Sequence, residues 1–494
     1  MREKNTKLSL SCTAFLFLCM LACVVGVASA RTIYVPDDYA KIQWAVSNAS
    51  AGDTIIVRDG TYYENVFVYK KLTIKSEKGP ENCIVNGSGS DVFTDVFTLE
   101  ADGIRIEGFT ITGDRCGINI RSNNNMIINN IICSNNCGIE LWYSNNNCIS
   151  NNKIITNNND GIYLSHSNKN IIINNIITNN DNGIYLWYSN NNCISENNIS
   201  LNKHVGIDLS VSNNNNSISN NKISSNKDGG IYLFGDSNNN SISNNNISSN
   251  NYWGIFLWYS NNNSISNNII CSNNYGIDLS ISNNNSISNN KISSNNDGIL
   301  LHYSNNNIIY LNNFINNTNN AYSYDSKNIW NTTEQITYVY KGSTFTNYLG
   351  NYWSDYKGSD ADGDGIGDTP YSIDGDKDNY PLMERFENYF KPVENQPPIA
   401  SFTYSTDGLL VSFTSASHDP DGDIVSYHWD FGDGSTSTEK NPVHTYPASG
   451  RYIVTHTVED SHGRTDSVTE EIQVSSKIAS VSCPSVIAKG LPLK

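Results

Sequence analysis

One short phrase recurs through the middle of this 494-residue chain. It reads Gly-Ile-x-Leu, then Ser-Asn-Asn-Asn, then Ile, then Asn-Asn, then one or two further Ile. It begins at Gly117, Gly138, Gly161, Gly183, Gly206, Gly230, Gly254, Gly276 and Gly298, at spacings of 21 to 24 residues. Self-similarity at such a period marks a solenoid in which each repeat is one rung. In Gly138-Ile139-Glu140-Leu141-Trp142, alternation puts Ile139 and Leu141 on one face and Glu140 and Trp142 on the other, which is a strand. Ile149, and then Ile154 with Ile155, form two further apolar bursts. The Asn, Ser and Gly between them favour turns and tolerate left-handed backbone. Three short strands per rung describe a parallel β-helix. A leucine-rich repeat would need several leucines and a helical segment per unit, and these rungs have neither.

Stacking explains the composition. Each rung offers about four aliphatic side chains, at ~1.5–3 kcal/mol apiece for full burial. That does not offset the ordering of its residues at ~1–2 kcal/mol each, so one rung cannot stand alone. Stacked rungs share a core and backbone hydrogen bonds. Asparagines at equal positions, such as Asn146, Asn191, Asn239 and Asn262, are expected to form amide ladders about 4.8 Å apart. Nine rungs then span roughly 43 Å. The regular Ile spacing excludes a disordered Asn-rich tract.

Residues 1–30 read as an export signal: Arg2, Lys4 and Lys7, an apolar run from Leu8 to Val27, and Ala28-Ser29-Ala30 as a cleavage site. No later apolar stretch is long enough to span a bilayer, so no transmembrane segment is expected in the mature chain. A formal charge of −17 makes nucleic acid a poor partner. Residues 31–116 are expected to hold an amino-terminal cap and the first coils. Within them, Tyr39 to Ser50 has a helical pattern with Ile42 and Val46 on one side, and strands follow at Thr54–Val57 and Leu72–Ile74. Such a cap protects the open end of a stack. Regular repeats occupy 117–330. Eight cysteines follow the signal, without metal-binding spacing. Cys116 and Cys137 precede the glycines of adjacent rungs and should stand near disulfide distance. Cys148 and Cys193 lie two rungs apart, too far to bridge.

Three segments carry a family resemblance. "IQWAVSNASAGDTIIVRDGTYYENV" resembles the amino-terminal cap of pectin-lyase-like and NosD-like right-handed β-helices. The rungs resemble the carbohydrate-binding and sugar-hydrolase repeat of that superfamily. Residues 347–382, "NYLGNYWSDYKGSDADGDGIGDTPYSIDGDKDNYPL", are similar to the closing segment of NosD-like surface proteins, those of methanogenic archaea especially. The closing segment is assigned to 331–391 and a polar linker to 392–397. Residues 398–475 alternate in short strands with frequent turns, the pattern of a small β-sandwich. Trp429-Asp430-Phe431-Gly432-Asp433-Gly434 makes this module resemble a PKD domain. Residues 476–494 form a tail. The expected fold is therefore all-β: a right-handed parallel β-helix followed by a small Ig-like sandwich.

Three features bear on chemistry. Asp360, Asp362, Asp364, Ile366 and Asp368 place oxygens at alternate positions, with Gly365 sixth, as in a calcium loop. The twelfth position is Tyr371 instead of an acid, so Asp374, Asp376 or Asp378 would have to supply the missing oxygen. A weaker calcium candidate is the turn Asp419-Pro420-Asp421-Gly422-Asp423. Next, the outward positions of the first strand hold Trp142, Tyr163, Tyr185, Trp187, Tyr232, Phe234, Phe256 and Trp258. Such a row suits stacking on sugar rings or on a partner protein, and equally suits a cross-strand ladder. It is interrupted at Asp208 and Ser210, and again at Asp278 and Ser280. Last, Asp160 and Asp181, near equivalent positions one rung apart, are the best carboxylate pair for acid/base work. The reading that follows is an exported, cell-surface or extracellular structural or adhesive protein that binds glycan or surface proteins. The alternatives are a polysaccharide lyase or hydrolase and, through the NosD resemblance, a copper-processing accessory protein. The last lacks a Met/His/Cys cluster in the sequence.

Overall fold

The computed structural model describes residues 30–87, 94–390, 396–420 and 422–476. The export signal, most of the linker, Asp421, Cys483 and nearly all of the tail lie outside the described residues. The chain forms two compact units, divided after Phe390.

In the first unit three parallel sheets run along a β-helix. Sheet A has 13 strands, from Thr32–Val35 to Ile308–Tyr310. Sheet B has 13, from Gly60–Tyr63 to Tyr352–Trp353. Sheet C has 12, from Val66–Val68 to Asn319–Tyr324. A typical rung contributes Cys137–Trp142 to sheet C, Cys148–Ser150 to A and Lys153–Ile155 to B. Neighbouring rungs pair in register: Ile139 stands on Ile162, Ile149 on Ile172 and Ile154 on Ile177. The core is thus four columns of like residues, with Ile139, Leu141, Ile149 and Ile154 wholly buried in one rung. Cβ-branched side chains repeating on one pleated face fill such a column without voids.

The corners explain the asparagines. Each corner begins with a residue in left-handed backbone: Asn146, Asn151 and Thr156 have φ of 57°, 56° and 54°. The next residue turns inward and is buried: Asn147, Asn152 and Asn157. The Oδ1 of Asn152 accepts from the backbone N and the Nδ2 of Asn130, at 3.0 and 3.1 Å. Its own Nδ2 donates to Asn175 Oδ1 at 3.1 Å and to Ile127 O at 2.8 Å. The corner amides of Asn147 and Asn175 are paired in the same way, as a buried turn requires. The expected ladder exists but runs one residue later than the sequence suggested. Asn146, Asn191, Asn239 and Asn262 are the left-handed residues, and their successors Asn147, Asn192, Asn240 and Asn263 form the ladder. The rung glycine answers a third demand, that of space. A Cβ on Gly161 would lie 2.6 Å from Gly183 O and 2.7 Å from Ile177 Cγ2.

The ends are closed differently. A helix at Ile42–Asn48 buries Ile42, Ala45 and Val46 against the first coils. Its free N–H groups at Ile42 and Gln43 donate to the Glu64 carboxylate at 2.9 and 3.0 Å, which stands in for a helix cap. One strand of sheet A, Thr32–Val35, precedes this helix instead of following it and pairs with Thr54–Val57. At the far end, a hairpin of Ile336–Tyr340 and Ser343–Asn347 covers a second core of Leu311, Tyr338, Leu349, Ile366, Leu382 and Tyr389. Phe314, Trp353 and Tyr371 stack with ring centroids 4.3 Å apart.

The second unit packs a three-stranded antiparallel sheet (Phe402–Asp407, Leu410–Ser415, Val443–Thr445) and a four-stranded one (Thr436–Ser437, Ile424–Asp430, Gly450–Asp460, Thr465–Val474). Their core is centred on Val411, Phe413, Trp429, Phe431 and Ile472. Buried His456 lies 3.8 Å from the Trp429 ring, and burial holds its pKa below the usual imidazole value.

Candidate functional site

The outer face of sheet C gathers the side chains of interest. Within a strand the first and third residues after the glycine point into the core, so the second and fourth point out. Register then makes columns. Tyr163 stands on Tyr185 with rings 5.3 Å apart and nearly parallel, and Tyr232 meets Phe256 at 4.7 Å. Phe234 meets Trp258 at 4.3 Å, while Ser165 and Ser210 flank Trp187 in the same column. Trp142 is exposed, and the other seven members of the expected row are half-buried. The row is therefore a ladder whose rings still present an outer surface.

Two further sets of rings join it that the sequence reading passed over. Tyr143, His166 and Tyr188 form a stack, with centroids 4.7 and 5.2 Å apart. Each begins a corner in left-handed backbone at φ 48–51°, which turns the ring outward beside the sheet. Tyr259 and Tyr303 repeat the position. Trp253, immediately before its rung glycine, packs on Phe256 at 4.9 Å and Tyr232 at 5.4 Å. The signal for both sets was their fixed offset from the glycine, hidden because neither offset follows strand alternation.

Carboxylates share this face. Burial pushes Asp160 and Asp208 up to about 6, opposed by hydrogen bonds from Asn182 and Ser210, and pushes Asp278 up to about 7. The expected partner of Asp160 is displaced. Asn182, which like Asp160 precedes a rung glycine, donates to Asp160 Oδ1 at 2.9 Å. Asp181 sits one position earlier and turns to His204, whose Nε2 is 3.8 Å away. This rung is 22 residues long, from Gly161 to Gly183, so Asp181, 21 residues after Asp160, falls one position short of the register. At the other end of the face, Arg115 bridges Asp95 at 2.7 Å and Glu140 at 2.8 Å.

In the closing segment, carboxylate oxygens of Asp360, Asp362 and Asp364 lie within 4.8 Å of one another. Tyr338 donates to Asp364 O at 2.9 Å and Tyr389 to Gly365 O, so the second core holds the loop. Asp368 Oδ2 accepts from Ser359 Oγ and from Ala361 N at 2.9 and 3.0 Å instead of joining the cluster. Asp374, Asp376 and Asp378 do not complete the ligand set. Asp374 accepts from Ser323 N at 2.9 Å. Asp376 accepts from Ser323 Oγ at 2.8 Å and from Trp330 Nε1 at 3.2 Å. Asp378 ends a corner ladder, accepting from Asn351 N at 2.8 Å and Trp353 Nε1 at 3.0 Å. Tyr371, at the twelfth position, donates to Asp355 at 3.1 Å. Three hard oxygen ligands suit calcium in kind, without the bidentate acid of a full loop.

Cys116 and Cys137 pair in register as unbridged thiols, and Cys116 Sγ lies 3.3 Å from Glu140 Oε2. The hydrogen bond to Cys137 and burial push the Cys116 thiol well above its ordinary value. Copper is held by thiolate, thioether or imidazole donors. The group of three described residues whose ligand atoms converge is the Asp360–Asp364 cluster, which is entirely carboxylate. That cluster does not fit a copper centre.

Comparison with known proteins agrees with the architecture. A family model described as "Periplasmic copper-binding protein (NosD)" matches residues 46–228 and 205–358. A PKD-domain model matches 395–475. The chain is 47% identical over 81 residues to the pre-pro-metalloprotease PrtV of Vibrio cholerae, covering 16% of this chain and 9% of that protein. It is 36% identical over 97 residues to a cell surface glycoprotein of Methanothermus fervidus, covering 19% of this chain and 16% of the relative. The chain thus spans a small part of the curated relatives it matches. Among solved structures, the PKD1 domain of Vibrio anguillarum Epp is 48% identical, with 17% of this chain and 100% of that chain covered, at a TM-score of 0.17. A periplasmic alginate epimerase, AlgG, is 16% identical, with 60% of this chain and 82% of that chain covered, at a TM-score of 0.47. With more than half of its length under one family model, the chain belongs to the NosD family of parallel β-helix proteins and carries a PKD domain after the helix.

Proposed function

We propose that this protein is exported and displayed at the cell surface, where sheet C binds glycan chains without cleaving them. The observation that carries this reading is the set of aromatic columns on one sheet face, from Trp142 and Tyr143 to Trp258 and Tyr259. Ring faces repeated at rung spacing match an extended chain of pyranose units, each of which has an apolar face to stack. Among the described residues no helix is long and apolar enough to cross a membrane. The Methanothermus relative, named a cell surface glycoprotein, supports the location. In the same reading Asp360, Asp362 and Asp364 bind calcium and brace the closing segment.

Residues 31–494 are incubated with a panel of acidic and neutral polysaccharides, with and without calcium, and mass spectrometry follows retained ligand and new fragments. Retention without fragments is expected, and Trp187→Ala with Trp258→Ala should weaken it about tenfold or more, since two large aromatic contact surfaces are lost. New fragments, lost in Asp160→Ala, would replace this reading with a lyase or hydrolase. The raised Asp160 carboxyl is the observation that favours that second reading. Chelating calcium should lower the unfolding temperature of the native chain and leave that of Asp362→Asn unchanged. An equal fall in both would remove calcium from the loop.

A further inference from the structure

Asp278, on sheet C, is incompletely satisfied. It is 7% exposed. Its Oδ2 accepts from Trp253 Nε1 at 3.0 Å, but its Oδ1 is buried with no hydrogen-bond partner. Asp297, on the next strand, is 8% exposed, and its Oδ1 accepts from Asn319 Nδ2 at 2.8 Å. Among the described residues no Lys, Arg or His forms an ion pair with either one. The strands on either side add only Phe256 and Leu300 beside Asp278, and Tyr275 and Asn319 beside Asp297. A buried carboxylate oxygen without a donor costs stability, and a second carboxylate nearby adds repulsion. Protonation relieves both, which is why the pKa of the Asp278 carboxyl is raised; for the ionised form the species that relieves both is a positively charged hydrogen-bond donor. The rings that wall the site favour the same species. Trp253 packs on Phe256 at 4.9 Å and faces Tyr275 at 6.4 Å, and aromatic faces attract cations as well as sugar rings.

We propose that Trp253, Asp278 and Asp297 form a subsite for an amine-bearing sugar, a hexosamine whose amino group is free and protonated. The inference rests on the reading that sheet C binds glycan, and it names the class: a polysaccharide carrying unacetylated amino sugars. The sugar ring packs at the rim of the Trp253–Phe256 stack, and the ammonium group donates to Asp278 Oδ1 and to Asp297. A polyuronate is repelled at this place.

The test compares glucosamine hexamer, N-acetylglucosamine hexamer and an alginate hexamer by titration calorimetry. It uses residues 31–494 near neutral pH, where Asp278 begins to ionise while amine groups still carry a proton. The glucosamine hexamer should bind about tenfold tighter than the N-acetylated one. Within each of Asp278→Asn and Asp297→Asn, the two hexamers should bind with equal affinity. The chain carries a net charge of −17, so removing one charge leaves any diffuse attraction for a cationic oligomer nearly unchanged. A preference that survives both variants therefore overturns the subsite. Equal affinity of the wild-type chain for the two hexamers also overturns it and leaves the glycan reading standing. Binding of no glycan by the wild-type chain overturns both. A calcium ion that displaces the glucosamine hexamer and is lost in Asp278→Asn overturns it in favour of a metal site. If one variant fails to fold, the other decides the matter.

Discussion

At the scale of the residue, neighbouring asparagines in this protein do opposite jobs. Asn146 turns the chain in left-handed backbone, and Asn147 fills the corner with a fully bonded amide. Glycine accepts the first conformation, so Asn146→Gly should change stability by less than about 1 kcal/mol. Alanine at the second position strands Asn125 N, which donates to Asn147 Oδ1 at 2.9 Å. Asn170 Oδ1 loses its bond from Asn147 Nδ2 at 3.0 Å but keeps the one from the backbone N of residue 147 at 2.9 Å. Asn147→Ala should therefore cost about 1–3 kcal/mol for each buried group left unpaired, read from denaturant unfolding of the two variants side by side. Equal losses would mean the ladder carries no net stability. The asparagine tract was legible as a ladder, but the assignment slipped by one residue because a run of three asparagines offers no chemical contrast to mark which one turns inward. Composition identifies the device, and only backbone dihedrals identify its members.

At the scale of the element, sheet C combines aromatic columns with carboxyl groups that the fold prefers protonated. Asp208 has an ordinary value of 3.8 and is pushed up to about 6 by burial, with the Ser210 hydroxyl opposing the shift at 2.6 Å. The protonated form is the one the folded state favours, so this contribution is full below pH 3.8 and is lost as the pH rises through about 6. Asp208→Asn removes the penalty of ionisation. Its unfolding temperature should exceed that of the wild-type chain at pH 7.5 and approach it at pH 4.5, measured by calorimetry across that range. A gap that does not vary with pH would show that Asp208 ionises freely in the folded protein. The eight aromatic positions were readable from strand alternation because period two is strict in a sheet. Tyr143, His166, Tyr188 and Trp253 were not, because they sit where the strand meets a corner and alternation stops. Register decided the carboxylates too, placing Asn182 beside Asp160 and leaving Asp181 to His204.

At the scale of the whole molecule, a stack of rungs shares its core from end to end and must be closed at both ends. The first coil is closed by the helix at Ile42–Asn48, and the last by the segment whose core contains Tyr338, Leu349, Ile366 and Tyr389. An uncovered β-helix end exposes strand edges and apolar side chains that pair with other chains. Deleting 331–390 should therefore produce aggregates in light scattering. Deleting 391–494, a unit with its own core of Val411, Phe413 and Trp429, should leave the β-helix unfolding transition within a few degrees of the parent chain. Aggregation of the second variant instead would show that the β-helix depends on the carboxy-terminal unit.

The division between what the sequence determined and what tertiary structure decided follows from range. Rung period, strand alternation, four core aliphatics per rung and the sandwich after the helix are local patterns, repeated often enough to be unambiguous. Single contacts between residues about 20 to 50 apart left no such trace. Glu64 caps a helix that begins 22 residues earlier, and Asp376 ends a ladder by accepting from Asn328 N, 48 residues away. In sequence these are lone acids among many. The unpartnered oxygen of Asp278 belongs to the same class: it exists only because Trp253, Asp297 and the neighbouring strands come together without a cation. Periodicity specifies a repeating structure, whereas a site is a departure from the repeat, and its meaning depends on which side chains the stacking brings into contact.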